Sequence, residues 1–151
     1  MEKYYYGYDE FLKDAKELTK VVATEYKPDT LLSIARGGLT LAHFMAEALH
    51  TNRVFVLNSI HYDGTKKLDT FNIFNIPNLS DAKKVLIIDD ISDSGETLRE
   101  VLKILKEKYP DIEYKIATIF YKPNTLVMPD FTLKEAKVWI DFLWEIDPKI
   151  D

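Results

Sequence analysis

The stretch Val85 to Thr97, VLIIDDISDSGET, constrains the fold of this chain more than any other segment. Its four apolar residues, Val85 to Ile88, predict a buried strand, because a strand with one wet face would alternate apolar and polar residues. Two adjacent acids, Asp89 and Asp90, end the run. Asp93, Ser94, Gly95, Glu96 and Thr97 then make a turn. It leads into a helix predicted over Leu98 to Tyr109, with Leu98, Val101, Leu102 and Leu105 on its inner face. A buried strand running through a short turn into an amphipathic helix is the unit of an α/β sheet.

The same alternation recurs along the chain. Asp9 to Tyr26 predicts a helix with Phe11, Ala15, Leu18 and Val22 on one face, Asp9 as its N-cap, and Lys27-Pro28-Asp29 as its stop. Leu31 to Ala35 is a short apolar strand broken by Arg36-Gly37-Gly38. Leu39 to Leu49 predicts a helix, and Val54 to Leu57 a second strand. Ser59 to Asp69, polar and containing Gly64, reads as a loop, and Thr70 to Ile76 as an extended arm. Tyr114 to Tyr121 is a further strand. The segment from Asn124 onward, with Pro129 and both tryptophans, shows no clear period. Short strands alternating with helices predict a mainly parallel sheet flanked by helices. In such sheets ligands bind at the carboxyl ends of the strands. Three predicted strands end in reactive chemistry there: Ala-Arg-Gly-Gly, Asp-Asp-Ile-Ser-Asp-Ser-Gly, and Tyr-Lys-Pro.

Composition narrows the function classes. A chain of 151 residues, 46% apolar and 30% charged, supports one packed domain. The net charge of −5 argues against a general nucleic-acid binder, which would more often be basic. An anionic ligand must then be held by a few cations, backbone amides or a metal. The absence of cysteine excludes disulfides and thiolate metal sites and suits the cytoplasm. The charged, aromatic N-terminus MEKYYYGYDE predicts no signal peptide, and no apolar run reaches the ~20 residues of a membrane span. His43, His50 and His61 are scattered and suggest no metal site.

The turn after Ile88 carries specific chemistry. A strand-to-helix turn of small residues presents backbone N–H groups at a helix N-terminus, which is a seat for phosphate. Gly95 permits close backbone approach, and Ser94 and Thr97 add hydroxyl donors. Asp89 and Asp90 can accept from two ribose hydroxyls, and one can face a hard cation such as Mg²⁺. Singly, Asp93 or Ser94 reads as a helix cap. Together the residues describe a ribose-5-phosphate site.

The whole string resembles the signature of type I phosphoribosyltransferases, which bind phosphoribosyl pyrophosphate (PRPP). The resemblance spans nearly all of the chain and is closest to bacterial xanthine–guanine phosphoribosyltransferases. It implies that family's fold: one domain over 1–151, a mainly parallel sheet flanked by helices, and a small hood from about 124–151. By resemblance, Leu32 to Gly38 (LSIARGG) is the pyrophosphate loop, with Arg36 and Gly37 at the pyrophosphate and a cis peptide between Ala35 and Arg36. Asp89 and Asp90 bind the ribose, and Asp90 also faces Mg²⁺. Asp93 is the general base near the purine, and Asp93, Ser94, Gly95, Glu96 and Thr97 hold the 5′-phosphate. Lys122 donates to the exocyclic O6, Trp139 stacks on the base, and the Ile140 carbonyl reads its C2 side. Glu145 assists a second metal. The lid role falls on Ser59 or Tyr62, with Lys66 and Lys67 near pyrophosphate. One position departs from the signature: Ser92 stands where an apolar residue is usual, which predicts weaker packing and no ligand role.

The implied activity joins a 6-oxopurine (guanine, xanthine or hypoxanthine) to PRPP in purine salvage. The enzyme would be cytoplasmic, a homodimer or homotetramer, with no nucleic-acid partner. Two alternatives stay open: a PRPP-sensing nucleic-acid-binding regulator on the same fold, and a phosphoribosyltransferase for another base.

Overall fold

A computed structural model describes residues 2–62 and 70–148. The elements run β1 (Lys3–Tyr6), α1 (Tyr8–Glu25), β2 (Thr30–Ala35), α2 (Leu39–Ala48), β3 (Val54–Tyr62), β4 (Thr70–Phe74), β5 (Lys84–Ile88), β6 (Ile91–Ser92), α3 (Glu96–Lys108), β7 (Glu113–Ala117), β8 (Phe120–Tyr121), β9 (Lys134–Glu135) and β10 (Trp139–Phe142). No helix among the described residues is long and apolar enough to cross a membrane.

The central sheet has the order β4-β3-β2-β5-β7. β3, β2, β5 and β7 are mutually parallel, and β4 runs antiparallel to β3. After β2 the chain adds β3 on one side and later returns to place β5 on the other. The carboxyl ends of β2 and β5 therefore flank a topological switch point, where an α/β sheet leaves a crevice. Arg36-Gly37 leave β2 at that point, and Asp89-Asp90 leave β5 there.

The apolar run of β5 is buried on both faces, as a parallel strand should be. Leu86 and Ile88 pack into a core with Phe11, Leu18 and Val22 of α1 and Leu41 and Met45 of α2. Val85 and Ile87 point the other way, onto Leu98, Val101 and Leu105 of α3. Each core residue contributes roughly 1.5–3 kcal/mol by leaving water, and Asp89 and Asp90 follow a strand whose four apolar residues are fully buried.

Four expectations need correction. First, α1 begins at Tyr8 and its N-cap is Gly7, whose carbonyl accepts from the Phe11 N–H at 3.0 Å. Asp9 thus lies in the first helical turn, where its charge favours the helix dipole without capping. The predicted stop holds: Lys27 takes a left-handed backbone (φ 55°) and returns its N–H to Val22 O at 3.0 Å.

Second, Ser59–Tyr62 is strand, not loop. Pairing with β4 extends β3 to Tyr62, and His61 stacks on Phe71 at 4.3 Å. Polar composition concealed a strand whose pairing runs from Ser59 opposite Ile73 to Tyr62 opposite Thr70. Residues 63–69, including Lys66 and Lys67, lie outside the described residues.

Third, Tyr114–Tyr121 is two strands. Asp90 O accepts from both Ile119 and Phe120 N–H at 3.1 and 3.2 Å, and the buried Thr118 hydroxyl donates to Phe120 O. These bonds turn the chain out of the central sheet at Thr118, so that β8 joins β6 and β9 in a small parallel sheet.

Fourth, the N-terminus, predicted as no element, forms β1 and pairs in parallel with β10, Lys3 opposite Trp139 and Tyr4 opposite Ile140. A four-residue strand at the chain start has no local signal, because its partner lies at the other end of the sequence.

Candidate active site

The end of β5 carries two carboxylates whose proton affinity is raised. Asp89 is pushed up by burial first and by the charge of Asp90 second. Asp90 is pushed up to about 6, again by burial, with the charge of Glu145 adding to it. The Asp90 N–H is held by Asp89 Oδ1 at 2.9 Å. Two acids this close, turned partly out of water, are poised to meet donors or a cation, which would favour the ionised form.

The loop after β2 is fitted against them. The Ala35–Arg36 peptide is cis. A Cβ placed on Gly37 would fall 2.7–2.8 Å from the Asp90 carboxylate, and one on Gly38 would fall 2.3 Å from Ile88 O. The two glycines are therefore required by close approach between neighbouring strand ends. Arg36 is exposed at the mouth of this crevice.

Beyond Asp90 the chain makes β6 and then the turn Asp93–Gly95. Gly95 has φ +86°, a left-handed conformation that disfavours any side chain. A Cβ there would also lie 2.5 Å from Thr125 Oγ1. Gly95 starts α3, so Ser94, Glu96 and Thr97 surround the positive end of a helix dipole.

The base side is assembled from three distant segments. Lys122 follows β8, and its N–H is fixed by Ser92 O at 2.9 Å. Its ammonium lies 3.0 Å from Asp93 Oδ1, with both side chains partly exposed. Trp139 is 54% exposed, whereas Ile140 beside it is 8% exposed. The other tryptophan, Trp144, is spent on packing: it stacks on Phe142 at 4.8 Å and meets Phe11 edge-on. Trp139 lines the hollow shared with Asp93 and Lys122, whereas Trp144 lines the one shared with Arg36 and Gly37.

Three hollows meet at Asp90. One, of about 180 Å³, is lined by Asp93, Lys122, Val138, Trp139 and Ile140. A second, of about 170 Å³, is lined by Asp89, Asp93, Ser94, Gly95 and Thr97. The third, of about 650 Å³, is lined by Arg36, Gly37, Thr40, Trp144 and Glu145. Asp90 lines all three, and Glu145 lines the first and the third. The predicted site residues Asp89, Asp90, Asp93, Ser94, Gly95, Thr97, Arg36, Gly37, Lys122, Trp139 and Ile140 are thus brought together. Glu96 stands in the same turn as the first residue of α3. Ser59 lies in β3, and the Tyr62 side chain lies outside the described residues.

Among the described residues no cluster of three metal-ligating side chains occurs. The acids Asp89 and Asp90, with Glu145 facing the same space, fit a hard cation that arrives with most of its oxygen ligands on a phosphorylated substrate.

Sequence reasoning missed Thr40, Val138 and Thr125, which carry no motif and enter through contacts alone. It also misjudged Ser92. That residue is 1% exposed, and its hydroxyl is bonded to Thr125 Oγ1 at 2.7 Å and to Val127 O at 2.8 Å. Packing is not weakened there, because a polar network fills the space.

Comparison with known proteins agrees with this geometry. Residues 6–151 match the phosphoribosyl transferase domain. The xanthine-guanine phosphoribosyltransferase of Idiomarina loihiensis is 27% identical over 95% of this chain and 88% of its own. The solved Helicobacter pylori xanthine-guanine-hypoxanthine phosphoribosyltransferase superposes with a TM-score of 0.89 at 39% identity, covering 96% of this chain and 95% of that one. A purine phosphoribosyltransferase from Pyrococcus horikoshii superposes with a TM-score of 0.82 at 32% identity, covering 100% and 99%. In sequence, strand order and the placing of its acidic strand end, this chain belongs to the phosphoribosyltransferase family and has its type I fold.

Proposed function

We propose that the protein transfers the phosphoribosyl group of PRPP to a ring nitrogen of a 6-oxopurine, guanine, xanthine or hypoxanthine, and releases pyrophosphate in purine salvage. The observation that carries this reading is the meeting of three chemically different hollows at Asp90. A transferred group bound at the centre must touch its leaving group on one side, its acceptor on another and its own phosphate on a third. Relatives named for xanthine, guanine and hypoxanthine support the choice of base.

In this reading Ser94, Gly95, Glu96 and Thr97, with Asp93, hold the 5′-phosphate at the start of α3. Asp89 and Asp90 accept from the ribose hydroxyls. Arg36 and the Gly37 backbone meet pyrophosphate. Mg²⁺, bound with PRPP and facing Asp90, would neutralise leaving-group charge. The bond from C1 of the ribose to the pyrophosphate oxygen breaks, a bond from C1 to the purine nitrogen forms, and the purine N–H proton passes to Asp93. Positive charge on the ribose ring is met by the acids beneath it. Lys122 donates to O6, and Trp139 covers the base while the Ile140 carbonyl reads its C2 edge. The Lys122 ammonium lies 3.0 Å from Asp93 Oδ1, and both residues line the base hollow, which supports giving the two roles to this pair.

A PRPP-dependent nucleotide-formation assay with guanine, xanthine, hypoxanthine and adenine tests this. Turnover of the three 6-oxopurines with little on adenine is expected, and an enzyme that prefers adenine overturns the assignment. The working form in this reading is a cytoplasmic homodimer or homotetramer acting on small molecules. Exposed Tyr5, Tyr8 and Leu39 offer apolar surface for such association. Light scattering that finds a monomer at working concentration removes that part.

A further inference from the structure

Residues Ser92–Gly95 and the segment Lys122–Val127 are separated by α3, β7 and β8, yet they are joined like one loop. Four hydrogen bonds and the Lys122–Asp93 ion pair hold them. Lys122 N–H donates to Ser92 O at 2.9 Å, and Leu126 N–H donates to Ser94 O at 2.8 Å. The Ser92 hydroxyl donates to Val127 O at 2.8 Å and accepts from the Thr125 hydroxyl at 2.7 Å. Gly95 lets the second segment approach so closely that a Cβ would lie 2.7 Å from Leu126 N and Val127 N. Within the second segment, Thr125 N–H returns to Lys122 O at 3.0 Å, closing the turn that carries Lys122.

The backbone bonds in this set need no particular side chains. The hydroxyl pair does. Ser92 is the inward residue of the two-residue strand β6, and its buried hydroxyl reaches Thr125 Oγ1 at 2.7 Å and Val127 O at 2.8 Å, whereas the Thr125 hydroxyl reaches Val127 O only at 3.3 Å. An apolar residue at position 92 would leave Val127 O with only the longer bond from Thr125 and would take from Thr125 its shortest hydrogen bond. Thr125 would have to close on Val127 O to make good the loss, so the segment would shift. Such a shift moves Lys122 and relaxes the contact that shapes Gly95.

We propose that Ser92 is a positioning residue. With Thr125 it clasps the phosphate-binding turn to the base-reading segment, so that the 5′-phosphate seat and the Lys122 ammonium are set by one rigid unit. The inference rests on the reading of residues 93–97 as the phosphate seat and Lys122 as the base reader.

The test uses four variants of the full chain: Ser92→Ala, Thr125→Val, Thr125→Ser and Thr97→Val. Calorimetry reads the dissociation constant for ribose 5-phosphate, steady-state assays read KM for guanine, and a melting curve reads stability. Ser92→Ala and Thr125→Val should each weaken ribose 5-phosphate and raise the guanine KM together, by about five- to tenfold, the size of one buried hydrogen bond. Thr125→Ser keeps the hydroxyl and should bind as the unmodified protein does. A purely structural role would lower the melting temperature and leave both constants alone. Ribose 5-phosphate binding within twofold of unmodified in Ser92→Ala and Thr125→Val, with binding lost in Thr97→Val, would overturn the clasp and spare the site. Unchanged binding in Thr97→Val as well would overturn the phosphate seat itself, and the clasp with it.

Discussion

The two sides of the cleft are built in opposite ways. The ribose-phosphate side is one continuous segment, Lys84 to Lys108, in which β5, the acid pair, the turn and α3 follow each other without interruption. The base side gathers Lys122 from the end of β8, Trp139 and Ile140 from β10, and β1 from the start of the chain. The first is anchored in both cores by consecutive strand residues. The second enters the first of these cores through residues from separate segments, Tyr6, Phe120, Ile140 and Phe142, and is tied there by strand pairing and polar contacts: Tyr6 donates to the buried Asp14 at 2.6 Å, and Lys134 meets Asp14 at 2.8 Å. Local order in the sequence thus goes with the part of the site that must hold charge rigidly. Long-range assembly goes with the part that must choose a base.

That contrast can be broken experimentally. The largest effect belongs to Asp93, which stands between the two sides. Asp93→Asn should lower kcat by roughly 10²-fold or more, as expected for a lost general base, while PRPP binding persists because the amide still fits the turn. Full turnover in this variant would take Asp93 out of the mechanism.

Next come the acids on the ribose side. Asp89→Ala or Asp90→Ala should weaken PRPP by roughly ten- to a hundredfold, since hydrogen bonds to charged groups contribute about 1.5–3 kcal/mol. The base constants should change less. Excess chelator should abolish tight PRPP binding, and calorimetry showing it intact would remove the metal from Asp90. The raised proton affinity of Asp90 adds a pH dependence. The folded protein binds this proton more tightly than the unfolded chain, so stability falls as pH rises from 3.8 to about 6. PRPP affinity should follow the opposite course and weaken as pH drops below about 6, because the substrate needs the ionised form. A flat affinity profile from pH 5 to 8 would contradict that linkage.

On the base side, Lys122→Ala should cost tenfold or more in kcat/KM for guanine, xanthine and hypoxanthine, and should narrow the gap to adenine. An ammonium donates and cannot accept, so an adenine amino group leaves both unpaired, at about 1–3 kcal/mol. Lys122→Gln, which donates and accepts, should narrow the gap further. Values for every base within about 0.5 kcal/mol of the unmodified enzyme would mark Lys122 as an ordinary surface residue.

The smallest effect sharpens the comparison most. Tyr6→Phe removes one donor from Asp14, which keeps Lys134. It should lower stability by about 1–3 kcal/mol and raise the guanine KM a few-fold through β1 and β10. PRPP affinity should not move. Equal loss on both substrates would show that the β1–β10 pair is coupled to the ribose-phosphate side as closely as the Lys122 segment is, and that the contrast is false.

How much of this was legible in the sequence follows the same division. The strand, acid pair, turn and helix of residues 85–108 could be read directly, because burial on both faces, turn chemistry and helical spacing are all local signals. The parallel sheet followed from the alternation of such units. The strand within the predicted loop at 59–62, the break at Thr118 and the strand at Lys3–Tyr6 were not legible, because each is decided by a hydrogen-bond partner on another element. Ser92 shows the limit most clearly. Its sequence marks it as an odd residue in an apolar position, and Thr125 and Val127, more than thirty residues away, supply the partners that make it a satisfied one. By itself the sequence determined which chemistry the chain owns: two acids, a phosphate turn, a cation and an aromatic. Tertiary structure alone decided that they meet at Asp90, because side chains from different strand ends converge only when the order of strands places a crevice between them.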